Sequence, residues 1–309
     1  MDDELTRYLT SVGKILLALS CVIVTYNALT TAESTSTRLR DNSHDREIPK
    51  LLHHIFLGTA DFGPPLSPEK WAKWQANAQT CVDMSPDFEH ILWNNSMVLD
   101  MLHKHFPAHV ENYNSYSYGV QRADAARYFI LHKYGGIYID MDIECKAPLS
   151  DVIAYVTSRR AVVGLPENSW HGVTNDLLVS AANHRFFART IEALAQYNAN
   201  YGLPYATVMY STGPKFLTAR LTEYLQELKQ DAAAVDVVVL PLGLSHGSAG
   251  MFGHTGGSTW HAADGRILYH ILRNPHYALL FVLICFAVIG YTQCSRYFKR
   301  RRSVVSKFG

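Results

Sequence analysis

The sequence predicts an α/β domain carried between two membrane segments. Three observations predict it: β-like runs alternate with helix-period stretches through the middle of the chain, an uncharged apolar run lies near each end, and the charge changes sign along the chain. The 309 residues, 48% hydrophobic and 18% charged, suffice for a sizeable core and exclude a disordered or collagen-like chain. The formal net charge of +1 divides into −1 up to Lys14, −4 over residues 15–295 and +6 from Arg296 onward. A domain of net −4 has no basic surplus to neutralise phosphates, so nucleic acid is excluded as a partner.

In chain order, residues 1–14 form a short N-terminal segment. Residues 15–32 (ILLALSCVIVTYNALTTA) carry no charge and follow Lys14, which suits a short transmembrane anchor; a cleaved signal peptide is the alternative. Residues 33–47 are polar and aperiodic, a stem. Residues 48–270 form the domain. It opens on the β-like run 51–57, followed by the helix-period stretch 68–79, a strand at 88–93 and a helix at 97–105. A helix at 120–134 packs through Ala123, Ala126, Tyr128, Phe129 and Ile130 and is stopped by Gly135-Gly136, since glycine accepts the positive φ of a C-cap. An apolar strand follows at 137–142, then a strand at 161–165, helices at 185–197 and 214–229, and a strand at 235–240. This alternation argues for a largely parallel sheet, with ligands beyond the carboxyl ends of its strands. Residues 274–295 are long and apolar enough to span a bilayer, because a helix rises about 1.5 Å per residue and needs roughly 20 residues. The basic tail 296–309 marks the cytoplasmic side, which puts residues 1–14 there too and the domain in the lumen.

The chain has no GxGxxG after its first strand, GxxxxGK[ST], HExxH or paired CxxC. Dinucleotide, P-loop, zinc-protease and zinc-ribbon chemistry therefore have no support. The informative stretch is residues 120–148. Asp124 and Arg127, three apart, share a helix face. Asp140 and Asp142, two apart at a strand end, fall on one side of an extended chain. Two such carboxylates repel unless a cation or donor intervenes, and their hard oxygens suit Mn²⁺ or Mg²⁺, which in turn can bridge a diphosphate. A bare Asp-x-Asp is common by chance and reads equally as a solvated turn; the preceding helix and glycine pair single this one out.

The segment RADAARYFILHKYGGIYIDMDIECKAPL resembles the DXD sugar-binding region of glycosyltransferase family 32, which includes fungal α-mannosyltransferases. Ile48-Pro49-Lys50-Leu51-Leu52-His53 is similar to the family's opening strand. Thr174–Ser180 with Asn183-His184 is similar to its middle motif, Ser211-Thr212-Gly213-Pro214 to its TGP turn, and Gly257-Ser258-Thr259-Trp260-His261 to its closing segment. Within the family the resemblance points to catalytic subunits of mannosyl-inositol phosphorylceramide synthases. It implies a GT-A type, Rossmann-like nucleotide-sugar-binding domain and metal-dependent, retaining transfer of mannose from GDP-mannose to inositol phosphorylceramide at a Golgi membrane. A regulatory membrane subunit is the implied partner. Asp142 would ligate the metal and Asp140 would contact donor and metal. Asp124, Arg127 and Asn175 would hold the sugar, and Ser258 and Trp260 the diphosphate. His261 or His254 would complete the metal shell. Phe56 stands where relatives often carry a tryptophan that stacks on the base. The rivals are a hexosyltransferase acting on glycoprotein glycans and a non-catalytic membrane subunit that regulates a transferase; the intact acidic set argues against the latter.

Other residues read more plainly. Cys81 and Cys145 are a disulfide or two buried thiols, and Asn94-Asn95-Ser96 is a lumenal glycosylation triplet. His53, His54, His103, His105 and His109 are expected to cap and solvate. Tyr113, Tyr116 and Tyr118 are expected to pack, with an acceptor site as the alternative.

Overall fold

The computed structural model describes residues 47–58, 67–161, 163–168, 172–231, 233–245 and 250–254, with Leu283 and Tyr291 as isolated positions. The first apolar run, the second except for Leu283 and Tyr291, nearly all of the stem, the basic tail, Ser258, Trp260 and His261 lie outside the described residues. Among the described residues no helix is long and apolar enough to cross a membrane. The chain divides into two units, one of residues 35–201 with 206–260 and one of 1–34, 202–205 and 261–309. The description below concerns the first.

Strand β1 (Leu51–Ile55) leads through an undescribed stretch to α1 (Pro68–Met84). That helix starts with proline at its first position and with the Ser67 hydroxyl accepting the Lys70 amide at 3.3 Å. Strand β2 (Glu89–Trp93) is followed by α2 (Asn95–His105), capped by Asn94 through the Met97 amide at 2.9 Å and closed by His103, Lys104 and His105 at its negative end. The short α3 (Val110–Asn114) precedes α4 (Gly119–Tyr134), in which residues 123–131 are all buried. The helix is thus surrounded on every side, and it takes the charged Asp124 and Arg127 into the interior with it. Then come β3 (Gly136–Ile139), β4 (Ile143–Cys145), α5 (Leu149–Ser158), β5 (Val163–Asn168), β6 (Gly172–Val173) and β7 (Leu177–Ser180). The chain continues through α6 (Arg185–Tyr197), α7 (Pro204–Ser211), α8 (Pro214–Gln230), β8 (Val237–Leu240), α9 (Leu242–Ser245) and β9 (Phe252–His254).

All five expected strands and all five expected helices form, the helix at 185–197 with the expected bounds and the others with one or both ends shifted. The sheet runs β2-β1-β3-β7-β5, with β8 and the short β6 also paired to β5. It is mixed rather than largely parallel. Strand β7, absent from the sequence reading, lies antiparallel between β3 and β5, and among the described residues only β1–β2, β1–β3 and β5–β8 run parallel. Period two sorts its strands onto two cores. Tyr138 and Leu178 face the core built with α2, α4, α6 and α8, while Ile137, Ile139, Leu177 and Val179 face the one built with Cys81 of α1 and Leu149, Val152 and Val156 of α5. Helices thus cover both faces.

The glycine pair does what its sequence implied. Gly135 caps α4 at φ 67°, and a side chain on Gly136, at φ 92°, would meet the Leu51 carbonyl at 2.5 Å, so glycine there lets β3 approach β1. Two expectations are corrected. The strand predicted to reach residue 142 ends at Ile139, where the Asp140 amide donates to the Asp176 carbonyl, and 140–143 close a turn through Ile143 N–H to Asp140 carbonyl at 3.1 Å. Aspartate favours such turns, and two like charges gain nothing from an extended, buried path. His53 and His54 do not solvate but are fully buried in β1. His53 accepts from the Trp93 indole at 3.1 Å and pairs with the Gly135 carbonyl at 2.9 Å, and burial lowers its pKa to about 4, which keeps the ring neutral. Tyr113 and Tyr116 pack in the core, as expected.

Candidate active site

The carboxyl ends of β1 and β3 adjoin at the centre of the sheet, and α4 runs beneath them. In an open α/β sheet that edge is where ligands bind. Three separate pieces of chain meet there: the face of α4, the turn after β3, and the approach to β7.

The α4 face is a closed network. Arg127 Nη2 lies 2.9 Å from Asp124 Oδ1 and 3.3 Å from Asp140 Oδ1, and its Nη1 donates to the Asn175 carbonyl. The guanidinium sits over the Tyr138 ring, 4.6 Å from its centroid, and the Tyr138 hydroxyl donates to Asp140. Asp124 accepts further bonds from Asn175 Nδ2 at 3.0 Å and from the Thr212 hydroxyl at 3.2 Å. Asn175 also donates to the Tyr128 hydroxyl at 3.2 Å, which in turn donates to the Thr212 carbonyl at 2.6 Å. Asp124, Arg127 and Asn175 are each about 95% buried. Burial pushes Asp124 up to about 6, helped by the Asp140 charge and opposed by Arg127, Thr212 and Asn175. Burial works against the Arg127 charge as well, but Asp140, Tyr138 and Asp124 outweigh it and hold the guanidinium protonated.

The turn after β3 has the opposite character. Asp142 is buried beside His254, whose Nε2 lies 3.6 Å from Asp142 Oδ2; β9 carries His254 opposite Ile143 of β4. Asp176 joins them from the start of β7. The register that pairs Ile139 with Leu177 puts Asp140 next to Asp176, and their backbones bond at 2.7 Å. Burial first, and then the charge of Asp140, push Asp142 and Asp176 upward, while His254 pulls both down. Three carboxylates and an imidazole form a donor set suited to a hard divalent cation, and their mutual repulsion is what such a cation relieves. Asp140, Asp142, Asp176 and His254 are the described residues that could hold one, although among the described residues no three already converge on a single point.

Phe56, one residue beyond β1, is half-buried and packs against Trp71 of α1, ring centroids 4.2 Å apart and planes tilted by 37°. It therefore lies at the same edge as the acidic turn. Of the sequence-predicted residues, the structure brings together Asp124, Arg127, Asn175, Asp140, Asp142 and His254, and sets Phe56 at the neighbouring strand end. Asp176, Thr212 and Tyr138 were not singled out. Asp176 and Thr212 stood inside recognised motifs, but only the antiparallel placement of β7 and the turn before α8 carry them to the site.

Residues 72–159 match the family model described as glycosyltransferase sugar-binding region containing DXD motif. The chain is 31% identical over 251 residues to inositol phosphoceramide mannosyltransferase 3 of Schizosaccharomyces pombe, covering 79% of this chain and 66% of that one, so it spans just under two thirds of that relative. It is 31% identical over 274 residues to inositol phosphoceramide mannosyltransferase 2 of the same yeast, covering 87% of this chain and 75% of that one. Among solved structures, the ligand-free glycosyltransferase domain of the YGT toxin aligns with a TM-score of 0.45 at 11% identity, covering 63% of this chain and 81% of that one. The chain belongs to the DXD-containing glycosyltransferase family of the inositol phosphoceramide mannosyltransferases.

Proposed function

We propose that the protein is a retaining, metal-dependent mannosyltransferase that moves mannose from GDP-mannose to inositol phosphorylceramide, anchored by residues 15–32 and 274–295 with its domain in the Golgi lumen. The observation that carries this reading is the convergence of Asp124, Arg127, Asn175 and Asp140 from α4, β3 and β7 in a chain whose relatives bear that activity in their names. Asp124 and Arg127 would orient sugar hydroxyls from a desolvated, prearranged face, where each hydrogen bond counts for more than it does in water. Asp140, tied to Arg127 and Tyr138, would hold the donor between that face and the turn. Phe56 with Trp71 offers an aromatic surface for the base. Asp142, with Asp140, Asp176 and His254 or His261, would hold Mn²⁺ or Mg²⁺, and Ser258 and Trp260 would bind the diphosphate. When bound, the cation would supply positive charge against the phosphate oxygens of the leaving group. No lone nucleophile stands out, which suits same-face attack in which the leaving phosphate helps to deprotonate the acceptor.

Two features support the membrane and lumenal parts of the reading. The Cys81–Cys145 disulfide suits an oxidising compartment, and spans on both sides of the domain would keep the site near a lipid headgroup. A separate regulatory membrane subunit is part of the same proposal.

The test is transfer by the full chain in detergent micelles, with Mn²⁺ and radiolabelled GDP-mannose, offered inositol phosphorylceramide or a high-mannose glycan. Label in the lipid is expected. Label in the glycan alone would move the reading to glycoprotein substrates. Label in neither, with UDP-sugars also inert, would overturn transferase activity for the isolated chain and leave the non-catalytic subunit.

A further inference from the structure

We propose that the Cys81–Cys145 disulfide, with Asn77 and Thr80 of α1, is the positioning element of the acidic turn. The turn leaves the main sheet at Ile139 and enters β4, which among the described residues pairs with β9 alone and with no strand of the main sheet. A two-stranded ribbon is marginally stable by itself. Its backbone ladder therefore fixes His254 relative to Ile143, but not the ribbon relative to the rest of the site.

One side of α1 supplies what the sheet does not. Asn77 Nδ2 donates to the carbonyl of Met141, the residue between the two aspartates, at 3.4 Å. The Thr80 hydroxyl accepts the Cys145 amide at 2.8 Å, and Cys81 is bonded to Cys145. Just past the helix, the Ser85 hydroxyl accepts the Leu149 amide at 2.8 Å. Positions 77, 80 and 81 lie on one helical face, spaced by three and four. They grip the chain at 141 and at 145, so the backbone of Asp142 is held on both flanks. Both cysteines are buried in the core with Ile143, Leu149 and Phe252, and so the covalent link ties the ribbon to α1 at the point where it departs from the sheet.

The inference rests on the donor-binding reading of Asp140 and Asp142, and two measurements keep the two apart. In the Cys81→Ser, Cys145→Ser variant, the KM for GDP-mannose is expected to rise by about tenfold or more, with a smaller change in kcat, because misplacing a binding group costs in that range. Thr80→Val keeps the disulfide and removes one grip, and a rise in the same direction but smaller is expected. Amide hydrogen exchange over residues 140–146 and 252–254 should accelerate in both variants while β3 stays protected, a readout that needs no transfer activity. If the cysteine variant does not fold, Thr80→Val decides by the same two readings. Unchanged exchange and unchanged KM, with only a lower melting temperature, would overturn the proposal and leave the disulfide a stabiliser of the fold. Accelerated exchange in the variants, beside a wild-type protein that transfers no mannose, would uphold the brace and count against the donor reading alone.

Discussion

The two halves of the site follow opposite electrostatic plans. On α4, one cation and one anion are buried together and surrounded by neutral donors, so that Asp124, Arg127, Asn175 and Thr212 already have partners. At the turn, Asp140 lies close enough to Asp142 and Asp176 for its charge to push both upward, His254 Nε2 stands 3.6 Å from Asp142 Oδ2, and Arg127 reaches Asp140 at 3.3 Å. The first half is paired before anything binds, except at Arg127 Nε, which is buried without a hydrogen-bond partner. The second carries a surplus of negative charge that a cation from outside would offset. A folded protein tolerates such an arrangement when the repulsion is turned to binding.

If that contrast is right, substitutions in the two halves should have opposite consequences. The largest effect on activity is expected at the turn. Asp142→Ala should lower mannosyl transfer by at least about a hundredfold, the scale of losing one preorganised electrostatic contact, while urea denaturation shifts by less than about 1 kcal/mol. Transfer near the wild-type rate at saturating Mn²⁺ would remove Asp142 from the cation site. The α4 half should instead fail by unfolding. Arg127→Met strands a buried carboxylate, and a loss of about 3–5 kcal/mol is expected from the urea midpoint. Adding Asp124→Asn to that variant should recover part of the loss, since the two residues are in contact.

The same contrast explains what the sequence could and could not disclose. Asp124 and Arg127 were legible because spacing on a helix is a local rule, and so was their shared face. The proximity of Asp140 to Asp142 was legible too, but not its form, because whether a buried strand stops at residue 139 or runs to 142 depends on its neighbour. That neighbour, β7, is four fully buried residues, LLVS, without alternation, and such a run cannot be told from other apolar chain by period. Missing it turned a mixed sheet into an expected parallel one and hid Asp176, whose place opposite Asp140 is set by a pairing 36 residues distant. His53 and His54 failed for a related reason. They look polar in sequence, yet β1 is central and buried, so its imidazoles find partners in Trp93, Gly135 and His90.

The α4 half carries a cost that pH should disclose. Asp124 is pushed from an ordinary 3.8 to about 6 in the folded protein, so the fold holds its proton more tightly than the unfolded chain does. Its contribution to stability is therefore greatest at low pH and is lost as pH rises through about 6, on the order of 3 kcal/mol in all. Urea midpoints of Asp124→Asn between pH 4 and 7 should show a slope flatter by that amount than wild type. An unchanged slope would mean that Arg127 fully offsets the burial.

The smallest effect is the most discriminating, because its sign depends on the cation. Asp176 lies directly across from Asp140 in the extension of the β3–β7 ladder, and like charges so placed destabilise a sheet. With a chelator present, Asp176→Asn should raise stability by about 0.5–1 kcal/mol, since it removes one of the repelling charges. A cation that binds the folded protein stabilises it by mass action, and it does so less when one of its carboxylates is gone. The rise in melting temperature on adding Mn²⁺ should therefore be smaller in Asp176→Asn than in wild type, and the order of the two proteins should reverse as Mn²⁺ is titrated in. An equal rise in both would place Asp176 beyond the reach of the ion and reduce it to a backbone anchor for Asp140.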